Sequence, residues 1–229
     1  KNPNIIMSDA DLDIAIPGVI DGMRYTRQGQ ACTAGSRVYI HEKIYDKVLE
    51  GAVEKLSKLK MGNALDEKSD IGAIISEEQL KRTLYYMDIA KKNSSTKILH
   101  GGNQSKGGEY KDGFYYQPTL LSGLPVSSLV CQEEVFGPVA CAIPFKSFDE
   151  VMKSANDTQF GLSAVLWTKD LSRALQFVDE IEAGFVQVNQ CVAPRANVSY
   201  GGIKMSGLGK EYAFDSMMNH FTQSKTFLI

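Results

Sequence analysis

Residues 28–37 read Gln-Gly-Gln-Ala-Cys-Thr-Ala-Gly-Ser-Arg, and residues 38–41 continue as Val-Tyr-Ile-His. The apolar run after Arg37 is typical of a buried strand, and the glycine turn before it ends a helix. Cys32 is therefore expected at the edge of a sheet, between small residues that leave room for a second molecule. A thiol is a strong nucleophile only as thiolate, and free cysteines are also among the most buried side chains. These residues alone make Cys32 either a nucleophile or a structural core cysteine.

The composition is that of a globular protein with a large core. The chain has 229 residues, of which 43% are hydrophobic and 23% are charged. A net charge of −2 gives no reason to expect nucleic acid or an acidic membrane as partner. No apolar run is long enough to span a bilayer. Four cysteines without Cys-x-x-Cys spacing indicate reduced thiols, a cytoplasmic protein and no metal site.

Hydrophobic periodicity predicts strands that alternate with helices. The strands are predicted at 36–41, 96–100, 115–121, 139–145, 162–168 and 185–189, and the helices at 17–27, 42–60, 76–92, 148–156 and 170–181. Pro17 suits the first turn of its helix, and Ser76 with Gln79 forms a capping-box pattern. This alternation predicts a three-layer α/β/α fold with a mostly parallel sheet that is covered on both faces.

Five ordered blocks of the sequence resemble the NAD(P)-dependent aldehyde dehydrogenase superfamily. The segment around Cys32 is similar to the active-site cysteine segment of that family, and Lys1–Ile6 resembles the end of its Glu-Leu-Gly-Gly-Lys motif. The other three blocks are Glu133–Pro138, Asn156–Leu162 and Tyr200–Glu211. In the last block, Tyr200 replaces the usual Phe. Together the blocks extend over the whole chain and imply the catalytic-domain fold of the family.

The resemblance implies a role for several residues. Cys32 would be the nucleophile that forms a thiohemiacetal and then a thioester with an aldehyde substrate. Glu134 matches the carboxylate that binds the nicotinamide ribose of NAD or NADP, and Phe136 matches the ring beside it. Gln79 and Arg82 are expected to face the adenine-ribose end of that cofactor. The family's general base belongs to the motif that ends at Lys1 and lies upstream of it, so none is assigned.

Four further residues are expected at the substrate site, namely Tyr25, Cys191, Arg195 and Tyr200. The loop 190–199 is where relatives differ, and it is therefore expected to select the aldehyde. Arg195 could meet a polar group of the substrate, although a solvent-facing position is the alternative. Arg24 and Arg27 lie just before the cysteine turn and could favour a thiolate, or they could belong to a solvated helix end.

The resemblance also bears on domain organisation. Residues 1–221 are expected to form the catalytic domain, and residues 222–229 an oligomerisation strand. The segment Lys225–Ile229 is apolar and β-prone, and an unpaired terminal strand is an association site. The resemblance implies that it pairs with a partner subunit of a homo-oligomer, and pairing within the chain is the alternative.

The sequence begins inside a family motif. We therefore expect that it corresponds to roughly the C-terminal half of such an enzyme, that the nucleotide-binding domain is absent from it, and that it has little dehydrogenase activity by itself. Two other functions stay open: a thiol esterase that needs no cofactor, and a structural or binding role without catalysis.

Overall fold

The computed structural model describes residues 1–229 and contains one large sheet and one small one. The strands are β1 (Pro3–Ile6), β2 (Arg37–His41), β3 (Lys97–His100), β4 (Thr119–Ser122), β5 (Val139–Phe145), β6 (Phe160–Gly161), β7 (Ser163–Trp167), β8 (Phe185–Val188) and β9 (Ile203–Lys204). Seven of them form the large sheet in the order β3-β4-β5-β2-β1-β7-β8. Only β3 runs antiparallel to its neighbour, so the mostly parallel sheet predicted from the sequence is confirmed.

Helices cover both faces of this sheet. They are α1 (Leu12–Met23), α2 (Tyr45–Lys58), α3 (Glu77–Lys92), α4 (Leu129–Gln132), α5 (Phe148–Asn156), α6 (Leu171–Glu180) and α7 (Phe214–Phe221). Alternate residues of each strand point to opposite faces. On β1, Ile5 belongs to a core of 26 buried residues that includes side chains of α3, α5 and α6. Ile6 belongs to a core of 20 buried residues with side chains of α1 and α2. The three-layer prediction is therefore confirmed.

The first helix differs from the sequence prediction. It begins at Leu12 rather than at Pro17, because the Asp11 side chain accepts the Asp13 N–H and caps it. Pro17 lies inside the helix rather than in its first turn. The capping preference of Asp11 and the tertiary packing of the helix outweigh the tendency of proline to mark a helix start.

The end of the chain forms a helix that the sequence pattern did not indicate. All residues of α7 are partly or largely exposed. Residues 222–229 follow it without regular structure and are exposed, so their pairing with a partner stays a prediction. No helix of the structure is both long and apolar enough to cross a membrane.

Candidate active site

The cysteine turn lies in a pocket at one edge of the large sheet. The pocket has a volume of about 230 Å³ and is formed where β1, β2, β5 and β7 begin. Because these strands are parallel, their preceding segments meet at the same edge. The lining includes Lys1, Asn2, Cys32, Ala34, Ser36, Glu134, Val135, Phe136, Phe160, Leu162, Met205 and Ser206. The structure thus brings Cys32 together with Glu134 and Phe136, which lie about a hundred residues further along the chain.

Backbone turns carry the chain from α1 to Cys32. Arg24, Gln28 and Gly29 all have left-handed backbones, with φ of 58°, 55° and 64°. The thiol of Cys32 is free and exposed. Cys32 is therefore not a core cysteine, and its role as a nucleophile stays a prediction.

Asn2 fixes the cysteine turn, and the sequence patterns gave no sign of this. Its side-chain nitrogen donates to the carbonyl oxygens of Cys32, at 2.7 Å, and Ala34, at 3.1 Å. Its side-chain oxygen accepts the backbone N–H of Ser163 at 3.0 Å. Asn2 is buried, so water cannot satisfy its amide group, and these three hydrogen bonds do so instead. One side chain therefore links the cysteine turn before β2 to the starts of β1 and β7.

The segment Glu134–Phe136 forms the opposite wall. The Glu134 carboxylate is exposed and makes no ion pair or hydrogen bond within the chain. Phe136 has a left-handed backbone, with φ of 55°. A carboxylate without an internal partner can accept two hydroxyl protons of a ligand, which suits a ribose.

Gln79 and Arg82 of α3 support this wall. The Gln79 amide nitrogen donates to the carbonyls of Val135, at 3.0 Å, and Phe136, at 2.8 Å. The Arg82 guanidinium donates to the Glu134 carbonyl at 2.6 and 3.2 Å. The Ser76 hydroxyl accepts the Gln79 N–H as the capping pattern predicts, but the Gln79 side chain turns to the wall instead of back to Ser76. Contact of these two side chains with a cofactor stays a prediction.

The cysteine turn and this wall approach each other closely at two glycines. A Cβ on Gly29 would lie 2.2 Å from the Gly137 carbonyl oxygen. No side chain can occupy that space, and the positive φ of Gly29 also favours glycine. The glycine before the cysteine is therefore required by packing against the opposite wall.

Tyr200 reaches the thiol from the far end of the chain. Its hydroxyl oxygen lies 3.2 Å from the Cys32 Sγ. Its ring is held edge-on by Phe185 and Tyr212, with centroids 5.4 and 5.7 Å away. Its backbone pairs with Glu211 through two hydrogen bonds. The sequence placed Tyr200 at the substrate site, which stays a prediction, and the contact between its hydroxyl and the Cys32 sulfur is a finding of the structure.

The structure places Tyr25 in the core and corrects its assignment to the substrate site. Its side chain is completely buried, and its hydroxyl donates to the Thr119 carbonyl at 2.7 Å. The left-handed turn at Arg24 directs the ring back into the core below α1. Tyr25 is therefore a core residue and does not line the pocket.

The loop 190–199 lies beside the pocket but supplies none of its lining residues. Cys191 is half-buried, and its thiol points to the Gly18 carbonyl at 3.6 Å. Burial raises the pKa of the Cys191 thiol to about 12, so that it stays protonated at neutral pH. The Arg24 guanidinium donates to the carbonyls of Cys191 and Val192, each at 3.2 Å. Arg24 is thus a support of this loop, whereas Arg195 is exposed to solvent.

The fold and the pocket define an α/β domain in which a free thiol and a free carboxylate face the same cavity. Residues 1–227 match the family described as "Aldehyde dehydrogenase family", and the chain belongs to it. An aldehyde dehydrogenase of Rhodospirillum rubrum is 39% identical over 100% of this chain and 46% of its own length. An alpha-ketoglutaric semialdehyde dehydrogenase of Bacillus subtilis is 35% identical over 100% of this chain and 47% of its own length. The chain therefore spans about half of each relative.

Solved structures agree with this membership. An NAD+ complex of aldehyde dehydrogenase from Bacillus cereus superposes with a TM-score of 0.90 and 34% identity, over 96% of this chain and 43% of that one. Betaine aldehyde dehydrogenase from Staphylococcus aureus, in complex with NAD+, gives a TM-score of 0.91 and 33% identity, over 95% of this chain and 43% of that one. The fold expected from the sequence resemblance is confirmed.

Proposed function

We propose that this chain is the thiol-bearing part of an enzyme that oxidises an aldehyde to a carboxylic acid with NAD+ or NADP+. The observation that carries the proposal is that Cys32, Glu134 and Phe136 line one pocket. Membership of the aldehyde dehydrogenase family and the NAD+ bound to two structural relatives support it.

In the proposed reaction, the Cys32 thiolate attacks the aldehyde carbon and forms a thiohemiacetal. Negative charge then develops on the aldehyde oxygen, which needs a hydrogen-bond donor. The backbone N–H of Cys32 makes no hydrogen bond within the chain and is available as one such donor. The carbonyl of the same residue is held by Asn2, so the peptide group is fixed before the substrate arrives.

The chemistry of the pocket fits a nicotinamide cofactor. Glu134 would accept hydrogen bonds from ribose hydroxyls, and Phe136 would pack beside the nicotinamide. NAD(P)+, when bound, supplies the acceptor for the hydride that leaves the substrate carbon. Cys32 then carries the acyl group as a thioester, and attack by water releases the acid and restores the thiol.

No residue of this chain is assigned as the general base for that water. The Glu133 carboxylate accepts a hydrogen bond from the Tyr86 hydroxyl at 2.6 Å and is committed to it. Glu134 is the proposed partner of the ribose hydroxyls.

We further propose that the protein is cytoplasmic, because all four cysteines are free thiols. We also propose that copies of the chain associate through residues 222–229.

The test uses the whole protein that contains these residues. Purified protein is mixed with NAD+ or NADP+ and a panel of aldehydes, and absorbance at the NAD(P)H band is followed. We expect NAD(P)H and acid in equal amounts, abolished in Cys32→Ser and retained in Cys141→Ala, which removes a buried thiol outside the pocket. Ester hydrolysis that depends on Cys32 but not on cofactor would favour the thiol esterase instead. Absence of both activities would favour a structural role.

A further inference from the structure

The hydroxyl of Tyr200 is the only side-chain group that hydrogen-bonds the Cys32 sulfur. The two residues are 168 positions apart, and the contact is 3.2 Å long. The thiol is exposed in the pocket, whereas the phenol stands in a half-buried position between Phe185 and Tyr212. The hydrogen bond therefore joins the accessible Cys32 thiol to a phenol whose ring is held between two aromatic side chains.

The surroundings of Tyr200 keep its proton in place. Burial, and next the bond with Cys32, raise the pKa of the Tyr200 hydroxyl above its ordinary value. The phenol thus stays protonated over the whole range in which a thiol ionises. When the thiol loses its proton to solvent, the sulfur can only accept, and the hydroxyl must be the donor.

We propose that Tyr200 is a catalytic residue, whose hydroxyl donates a hydrogen bond to the Cys32 thiolate, stabilises that ionised form and fixes the sulfur at the pocket. This inference rests on the proposed role of Cys32 as nucleophile. A phenylalanine, which is usual at this place in the family pattern described above, would fill the same space between the two rings but could not donate. The hydroxyl therefore offers the Cys32 sulfur a hydrogen-bond donor that a phenylalanine lacks.

A hydrogen-bonded thiolate is more abundant at neutral pH but less nucleophilic per molecule, because nucleophilicity falls as the thiolate is stabilised. Removing the bond should therefore lower the rate of reaction near neutral pH, and should leave it unchanged or raise it at high pH. This pH dependence distinguishes the proposal from a merely structural role, which would change the rate by the same factor at every pH.

The test follows alkylation of Cys32 by iodoacetamide from pH 5 to 10, counted by mass spectrometry of the Cys32 peptide in the whole protein. In Tyr200→Phe we expect alkylation about fivefold slower at pH 7. The midpoint of the profile should move to higher pH, and the rate at pH 10 should equal or exceed that of the original protein. Tyr212→Phe is the matched control, since its hydroxyl makes no hydrogen bond within the chain and its ring is adjacent. It should leave the profile unchanged.

Three results would overturn the proposal: an unchanged profile in Tyr200→Phe, a rate lowered equally at all pH values, or faster alkylation at pH 7. Circular dichroism and thermal unfolding of each variant verify that it is folded, and Tyr200→Leu, whose side chain has no hydrogen-bond donor, provides a second case. The alkylation assay needs neither aldehyde nor cofactor. A failure of this proposal is therefore distinguishable from a failure of the dehydrogenase function, which is read from NAD(P)H formation.

Discussion

At the scale of single residues, the site contains some side chains that short motifs identify and others whose role is seen only from their hydrogen-bond partners in the structure. Cys32, Glu134 and Phe136 could be named from local motifs, because each lies in a short segment with its own pattern. Asn2 could not, since its contacts join the starts of three strands. The prediction for Tyr25 was wrong because the direction of its ring depends on the left-handed backbone at Arg24. A positive φ at a non-glycine residue is uncommon and could not be predicted from the sequence.

Gly29 gives a prediction at this scale. Gly29→Ala should lower the free energy of unfolding by about 3 kcal/mol or more. The added Cβ would lie 2.2 Å from the Gly137 carbonyl oxygen, and the positive φ of this residue is itself unfavourable for alanine. Gly108→Ala is the control: its φ of 54° is close to the 64° of Gly29, but a Cβ there meets nothing within 4 Å, so only the backbone cost of about 1 kcal/mol applies. Urea unfolding measures both, and equal losses would contradict the close approach of the two walls.

At the scale of elements, α3 acts as a support for the Glu134–Phe136 wall. The sequence predicted this helix and its cap at Ser76. It could not show that the Gln79 side chain leaves the capping box, because the competing acceptors lie 56 and 57 residues away. The apolar residues of α6 also could not be assigned to the core from their spacing alone. Leu171, Leu175 and Val178 are exposed in the structure, whereas Phe177 is buried.

Gln79→Met tests the support. It keeps the size of the side chain and removes two donors, so the free energy of unfolding should fall by about 1–2 kcal/mol. If the proposed function holds, the KM for NAD+ should rise more than kcat falls, because the wall that carries Glu134 loosens. Lys81→Met on the same helix loses only an exposed ion pair with Glu77 and should change stability by less than about 0.5 kcal/mol. Equal effects of the two substitutions on stability and KM would exclude a supporting role.

At the scale of the whole molecule, the sheet order brings the site together. The alternation of strands and helices sufficed to predict a three-layer fold, because each element has its own period. It did not give the strand order, which depends on long-range packing. The general expectation for parallel α/β sheets is a site at the carboxyl ends of the strands. Here the pocket lies at the opposite edge, where β1, β2, β5 and β7 begin.

The central claim is that an acyl group passes through the Cys32 sulfur in this pocket. The most direct measurement is acid quenching of the whole protein during turnover, followed by mass spectrometry of the Cys32 peptide. We predict the mass of the acyl group of the chosen aldehyde on Cys32, present only when aldehyde and NAD(P)+ are both added. An acyl group on another residue, or NAD(P)H formation that persists in Cys32→Ser, would contradict the account.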